Sequence, residues 1–241
     1  MQKYRFAIIL GAALVVLYLV LSAWHSPWQG YRFAIILGAA LVVLYLVFLA
    51  WHSPWGGKLT QAEIDHYIPI IEKLPLPAEE IKAIVSRIRP WAEIDDGKPV
   101  YMFNLIRFFP QLRTFPGAPE FKGTPKEANA YYEKSITWLW LSHAAYPMFS
   151  GTPQAKNLIN MQPERTWGEV AVCRYPNRRT FLKLLSDPSY APMEPYKFIA
   201  LELDLVPVSG NMVIPDLRWV VGAVFVIIFL LVGWVHAAWP H

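Results

Sequence analysis

Asn104, Glu169 and Glu202, with Trp167 close by, are polar or aromatic residues set in stretches that otherwise alternate towards apolar side chains. A few polar groups in an apolar wall can orient a small molecule, and two carboxylates held close together raise one another's pKa into the acid–base range. The same four residues also read as the rim of a dimer interface, with the acids paired to Arg107 or Arg174. No nucleophile–base pair and no glycine-rich phosphate loop accompanies them, so no catalytic residue is assigned. His143 is a possible base, but it reads first as a helix-end histidine with no catalytic role. His25, His52 and His236 stand at the ends of apolar runs, where imidazole could ligate a haem or a pigment; His25 and His236 are the two that would share one membrane surface. The plainer reading of these histidines, between tryptophans, is an interfacial belt. With no HExxH, CxxC or paired-histidine spacing no metal is expected, and the single Cys173 reads as a small buried hydrophobe.

The elements that must position these groups can be taken in chain order. Thr60-Gln-Ala-Glu63 is a capping box that opens a helix to about Lys73. Ile81, Ile84, Val85 and Ile88 then recur at helical spacing. Asp95-Asp-Gly-Lys98 is a turn, and Pro99–Phe108 predicts a strand. Thr124-Pro-Lys-Glu127 combines an N-cap, a first-turn proline and a capping glutamate, starting a helix to about Ala145. Met148–Gly151 and part of Gln154–Met161 are weaker strand segments, and Thr166–Tyr175 is a clear strand. Asn177 caps a helix that stops near Asp187-Pro188, and Lys197–Val208 predicts the last strand.

Alternation assigns faces to the strands. Ile199, Leu201, Leu203 and Leu205 should pack on the helices, matched by Val170 and Val172 and by Tyr101, Phe103 and Leu105. That leaves Asn104, Trp167, Glu169, Glu202 and Asp204 together on the opposite face.

Two long apolar segments precede this region. Tyr4–Trp28 is repeated at Tyr31–Trp55 with only Leu21/Phe48 and Ser22/Leu49 different, and a third apolar run covers Val220–Trp239. Each is long enough to cross a hydrocarbon core of roughly 30 Å. The first run exceeds a signal-peptide core, so it is expected to remain as a span rather than be cut near Leu21-Ser22-Ala23. Ala7/Gly11 and Ala34/Gly38 give the small-residue spacing that lets helices approach closely in lipid. Three spans put Lys3, Arg5, Lys58 and Arg218 on one side and Arg32 on the other, which predicts a domain on the cytoplasmic side of a bacterial inner membrane. The chain has 241 residues, 55% of them apolar, with 11 tryptophans and a scattered net charge of +4; no basic run supports nucleic-acid binding.

From Pro99 the order is strand, helix, one or two strands, helix, strand, the split βαβ or ferredoxin-like arrangement. Pro-Val-Tyr-Met-Phe-Asn-Leu-Ile-Arg-Phe at 99–108, Tyr131 and Tyr132, then Trp167, Val170 and Arg174-Tyr175-Pro176, then Phe181, Leu184, Asp187-Pro188 and Tyr190 together resemble the dimeric α+β barrel superfamily, in its uncharacterised bacterial branch. The resemblance covers about 98–208 and implies a four-stranded sheet backed by two helices, with two sheets meeting face to face in a dimer. It implies no single activity. The expected organisation is a tandem-repeat transmembrane hairpin (1–57), a helical linker region (58–97), an α+β domain (98–212) and a C-terminal transmembrane helix (213–241). The expected role is a membrane-anchored accessory or scaffolding subunit that pairs with itself or docks on a larger membrane assembly. The alternative is a tethered small enzyme or binding protein for a lipophilic quinone or aromatic molecule.

Overall fold

The structure, a computed structural model, describes Gly11, Leu14, Tyr18 and residues 32–155, 158–159, 166–211 and 215–238. Within these residues the chain is mixed α+β, with seven helices and one four-stranded antiparallel sheet, and it divides into two units. Most of the first repeat copy, including His25, lies outside the described residues, as does part of the weak strand segment at 154–161.

The first unit holds two helices, α1 (Arg32–His52) and α7 (Leu217–Ala238). Both are long and apolar enough to cross a membrane, with mean hydropathy 2.9 over Arg32–His52 and 2.4 over Leu217–His236. They pack antiparallel, and glycine allows the close approach. A β-carbon on Gly38 would sit 3.3 Å from the Phe229 ring, and one on Gly222 would sit 3.2 Å from the Tyr45 hydroxyl. The Tyr45 hydroxyl donates to the Arg218 carbonyl at 3.0 Å.

The second unit, Pro54–Gly210, carries the remaining elements. Helix α2 (Gln61–Ile71) starts at the Thr60/Glu63 capping box, both halves of which are formed, and α3 (Ala78–Glu93) packs beside it. Strand β1 (Val100–Phe108) is followed by α4 (Pro125–Ser142), whose Thr124/Glu127 capping box is also complete. Then come β2 (Tyr146–Gly151), β3 (Glu169–Tyr175), α5 (Arg178–Leu185), α6 (Glu194–Ala200) and β4 (Leu201–Ser209).

The sheet order is β2-β3-β1-β4, so β1 is central. Met102 stands opposite Cys173 on one side and Pro207 on the other. Val100, Met102, Cys173 and Tyr175 point towards the helices and are buried with Tyr132 and Ile136 of α4 and with Phe181, Leu182 and Leu184 of α5. Ile106 and Leu201 continue that side against Ala128, Ile199 and Ala200.

The last strand begins at Leu201, not Lys197, because Glu194–Ala200 forms α6 with Pro195 in its first turn and Ile199 and Ala200 buried. Helix α4 stops at Ser142 rather than about Ala145. His143 is its C-cap, and Ala144 takes a positive φ of 54° that closes the end through Ala145 N–H to the Trp140 carbonyl.

A buried arginine ties the segment before α2 to the start of α5. Arg179, 4% exposed, donates to both oxygens of Glu63 (2.6 and 2.9 Å) and to the carbonyls of Gly57 (2.9 Å) and Lys58 (2.6 Å). Asn177 adds a bond to the Trp55 carbonyl while its own oxygen caps α5 at Thr180. The Arg179 guanidinium holds the Glu63 carboxyl down to about 2. Gly97 is required nearby, having φ +74° and lying so close to Gly57 that a β-carbon would come 2.9 Å from its carbonyl carbon.

Candidate functional site

The strand register divides the residues singled out from sequence. Val100, Met102, Asn104 and Ile106 share a side with Glu169, Ala171, Cys173 and Tyr175 and with Leu201, Leu203 and Leu205. Tyr101, Phe103, Leu105 and Arg107 share the other with Val170, Val172 and Arg174 and with Glu202, Asp204, Val206 and Val208. The expected facing holds for β4 but is inverted for β1 and β3. Asn104 and Glu169 therefore lie on the helix side, while Glu202 lies on the open side.

Glu202 pairs with Arg107, and Glu169 accepts from the Ser150 hydroxyl at 2.9 Å. The two carboxylates are thus on opposite sides of the sheet and are not brought together. Asn104 donates to the Met102 carbonyl at 2.9 Å, within its own strand. Trp167 precedes β3 and is half-buried. His143 makes a 2.9 Å contact from Nδ1 to the Leu139 carbonyl, with Nε2 4.0 Å from Asp187, the pattern of a helix end. His236 is stacked on Phe33 at 4.7 Å and 6° between ring planes.

The open side of the sheet is apolar. Phe103 (38% exposed), Val206 (45%) and Phe149 of β2 (57%) lie on it, with Tyr101, Leu105, Val170, Val172 and Val208 between and beside them. Its charged residues are Arg107, Glu202 and Asp204, with Arg174 on the same side but buried (3% exposed) over the Tyr146 ring, so the side carries two charges of each sign. A contiguous apolar sheet face of this kind is unusual on a surface that stays in water.

The helix side holds the chemistry that alternation did not reveal. Tyr132 of α4 and Tyr190, just before α6, share a buried hydrogen bond at 3.1 Å, and the Tyr190 hydroxyl donates to Glu194 Oε1 at 3.4 Å. Glu194 is 5% exposed, and its Oε2 has no hydrogen-bond partner. One turn on, the Lys197 ammonium lies 5.5 Å from the centre of the Tyr132 ring.

Burial dominates the electrostatics of this group. Desolvation pushes the Glu194 carboxyl up to about 7, opposed by Lys197 and by the Tyr190 hydrogen bond. Desolvation lowers Lys197, opposed by Glu194, Cys173 and Glu133. Burial also raises the Cys173 thiol to about 11, which makes it a poor nucleophile at neutral pH, and raises Glu133, whose carboxylate accepts from Asn129 at 2.9 Å. Glu194 is therefore poised to bind and release a proton near neutrality, with a phenol chain on one oxygen and nothing on the other.

The sequence holds a signal for this cluster. Tyr190, Glu194 and Lys197 are spaced 4 and 3 apart around Pro195, which marks a helix start. Reading the chain as strand from Lys197 onwards separated Lys197 from Tyr190 and Glu194. Among the described residues no group of three or more His, Cys, Asp or Glu is placed to hold a metal ion.

No protein-family model matches the chain, and no curated protein is recognisably similar to it. Among solved structures it is similar to a protein of unknown function from Rhodopseudomonas palustris, solved as a structural genomics target. The match is 21% identical, covers 58% of this chain and 98% of that one, and has a TM-score of 0.47. The methylated form of that protein matches at 24% identity over 59% of this chain and 97% of that one, with a TM-score of 0.46.

Proposed function

We propose that this protein is a membrane-anchored accessory subunit whose α+β domain pairs with a second copy through the open side of its sheet. One observation carries the reading: the apolar face built from Phe103, Phe149, Val206 and Val208, on the side of the sheet away from the helices. Covering such a face stabilises by roughly 25 cal/mol for each Å² removed from water. A second copy is the occupant favoured by charge, since Arg107, Arg174, Glu202 and Asp204 sum to zero and two identical faces do not repel. The strand order and the one-sided helices support a ferredoxin-like domain, and the face-to-face pairing is that of a dimeric α+β barrel.

The apolar helices α1 and α7 support anchoring in a bilayer. Lys58 and Arg218 near their ends support a cytoplasmic domain in a bacterial inner membrane. The test is the mass of the full chain in lipid nanodiscs. The wild type is expected as a dimer, and Phe103→Asp or Val206→Asp as a folded monomer; a monomeric wild type contradicts the reading.

A second reading is favoured by the partnerless Oε2 of Glu194. The domain would bind a lipophilic quinone or aromatic molecule on the helix side and exchange a proton with Glu194. Saturable binding of a quinone that is lost in Glu194→Gln, with the dimer intact, would support it; unchanged binding would end it.

A further inference from the structure

Lys197 stands one turn beyond Glu194 on α6, so the two side chains share a face of the helix. They do not close on one another. Glu194 is buried and held by the Tyr190 hydroxyl at Oε1 alone, which leaves Oε2 without a hydrogen-bond partner. Among the described residues the Lys197 ammonium has no carboxylate within 4.0 Å, and it rests 5.5 Å from the centre of the Tyr132 ring. Lys197 is half-buried, neither sealed in the core as Tyr132, Tyr190 and Glu194 are nor free in water.

An exposed lysine is a charged ammonium at neutral pH and a poor nucleophile. Desolvation shifts Lys197 towards the free amine, and Glu194 keeps a proton up to about 7 beside it. An amine, a carboxylic acid with a free oxygen and a phenol pair are thus gathered on one side of the sheet.

We propose that Lys197 captures the carbonyl carbon of an uncharged aldehyde or ketone as an imine, with Glu194 as the acid that expels water. The amine lone pair forms the C–N bond while the carbonyl π pair moves to oxygen, which takes one N–H proton and becomes a hydroxyl. Glu194 then protonates that hydroxyl, the C–O bond breaks with loss of water, and the nitrogen lone pair forms C=N. The product is a protonated imine beside the Glu194 carboxylate, reached without oxidant or reductant. The groups whose charge bears on Lys197 are Glu194, Cys173 and Glu133. An anionic carbonyl compound would meet two carboxylates there, whereas the buried rings of Tyr132, Tyr175 and Tyr190 suit an apolar carbon chain. Capture needs neither the sheet pairing nor quinone binding.

The test uses the full chain in phosphatidylcholine nanodiscs with hexanal as probe. Cyanoborohydride at neutral pH fixes any imine as a secondary amine, and peptide mass spectrometry reads each lysine. Lys197 is expected to be alkylated about tenfold or more faster than the exposed Lys82, Lys134 and Lys183. Glu194→Gln is expected to slow Lys197 roughly a hundredfold while the exposed lysines keep their rates. Glyoxylate, an aldehyde that carries a carboxylate, is expected to show no preference for Lys197. Alkylation of Lys197 no faster than that of the exposed lysines, or at an unchanged rate in Glu194→Gln, overturns the proposal. A preference for Lys197 as strong with glyoxylate as with hexanal overturns the choice of an uncharged substrate. Phe103→Asp lies on the open side of the sheet and should leave these rates unchanged, so loss of the dimer and loss of capture are read separately.

Discussion

Replacing Glu194 by glutamine should stabilise the domain at alkaline pH and leave it unchanged in acid. In the folded chain the carboxyl titrates near 7, against an ordinary value of 4.5. The folded state therefore holds a proton that the unfolded state has released between these two values, and stability falls as pH rises from about 4.5 to about 7. At 1.36 kcal/mol per unit the 2.5-unit difference amounts to about 3 kcal/mol above pH 7. Glutamine has no charge to desolvate, so the variant recovers up to that amount, less whatever Lys197 loses with its anionic neighbour. For a domain of this size, roughly 2–4 °C per kcal/mol gives a rise in Tm of roughly 6–12 °C at pH 8. Thermal unfolding in mild detergent, followed by circular dichroism at pH 5 and pH 8, reads both limits. A variant that melts at the same temperature as the wild type at pH 8, or that gains equally at pH 5, would refute burial as the source of the shift.

Three further outcomes follow from other parts of the fold. Arg179→Ala should cost about 3 kcal/mol or more, measured by urea unfolding, because it leaves the half-buried Glu63 and the Gly57 and Lys58 carbonyls without their donor. Arg179→Lys should not rescue it, since one ammonium cannot span these acceptors. Glu63 acts with the opposite sign to Glu194: its contribution is present above about pH 4.5 and disappears as pH falls towards 2, so acid unfolding should begin at higher pH in Glu63→Gln. Ala144→Gly should change stability by less than about 1 kcal/mol in urea unfolding, because relief of the strain at φ 54° is offset by loss of a fully buried methyl and by the freedom glycine gains in the unfolded chain.

Much of the secondary structure was legible because its signals are local. Both capping boxes, the Asn177 cap and the strands at Pro99–Phe108 and Thr166–Tyr175 need only a few neighbouring residues to be recognised. The sides of the sheet were not legible, and the reason is physical. In β1, Val100, Met102 and Ile106 compete with Tyr101, Phe103 and Leu105, so both faces are apolar and a single strand cannot say which faces the helices. A sheet with one face in water would have shown the difference. The polar cluster was missed for a related reason: the apolar alternation at 199, 201, 203 and 205 extends the period of β4 back into the last turn of α6, so Lys197 was read as the start of a strand and not as one helical face with Glu194. The close approaches of Gly38 to Phe229 and of Gly222 to Tyr45 leave a trace in the sequence, since Gly38 and Tyr45, like Gly222 and Phe229, stand seven residues apart, but only the antiparallel register of α1 and α7 gives that spacing a meaning.

The central claim is that two sheets meet through their open faces, and a distance between chains tests it most directly. A spin label on Val172→Cys, in a Cys173→Ala background and in lipid nanodiscs, sits on the open side of β3 next to the central strand. Facing sheets pack about 10 Å apart, so pairing predicts strong dipolar coupling between labels on the two chains, abolished by Phe103→Asp. Labels that show no coupling in a chain that remains folded and membrane-bound would contradict the pairing.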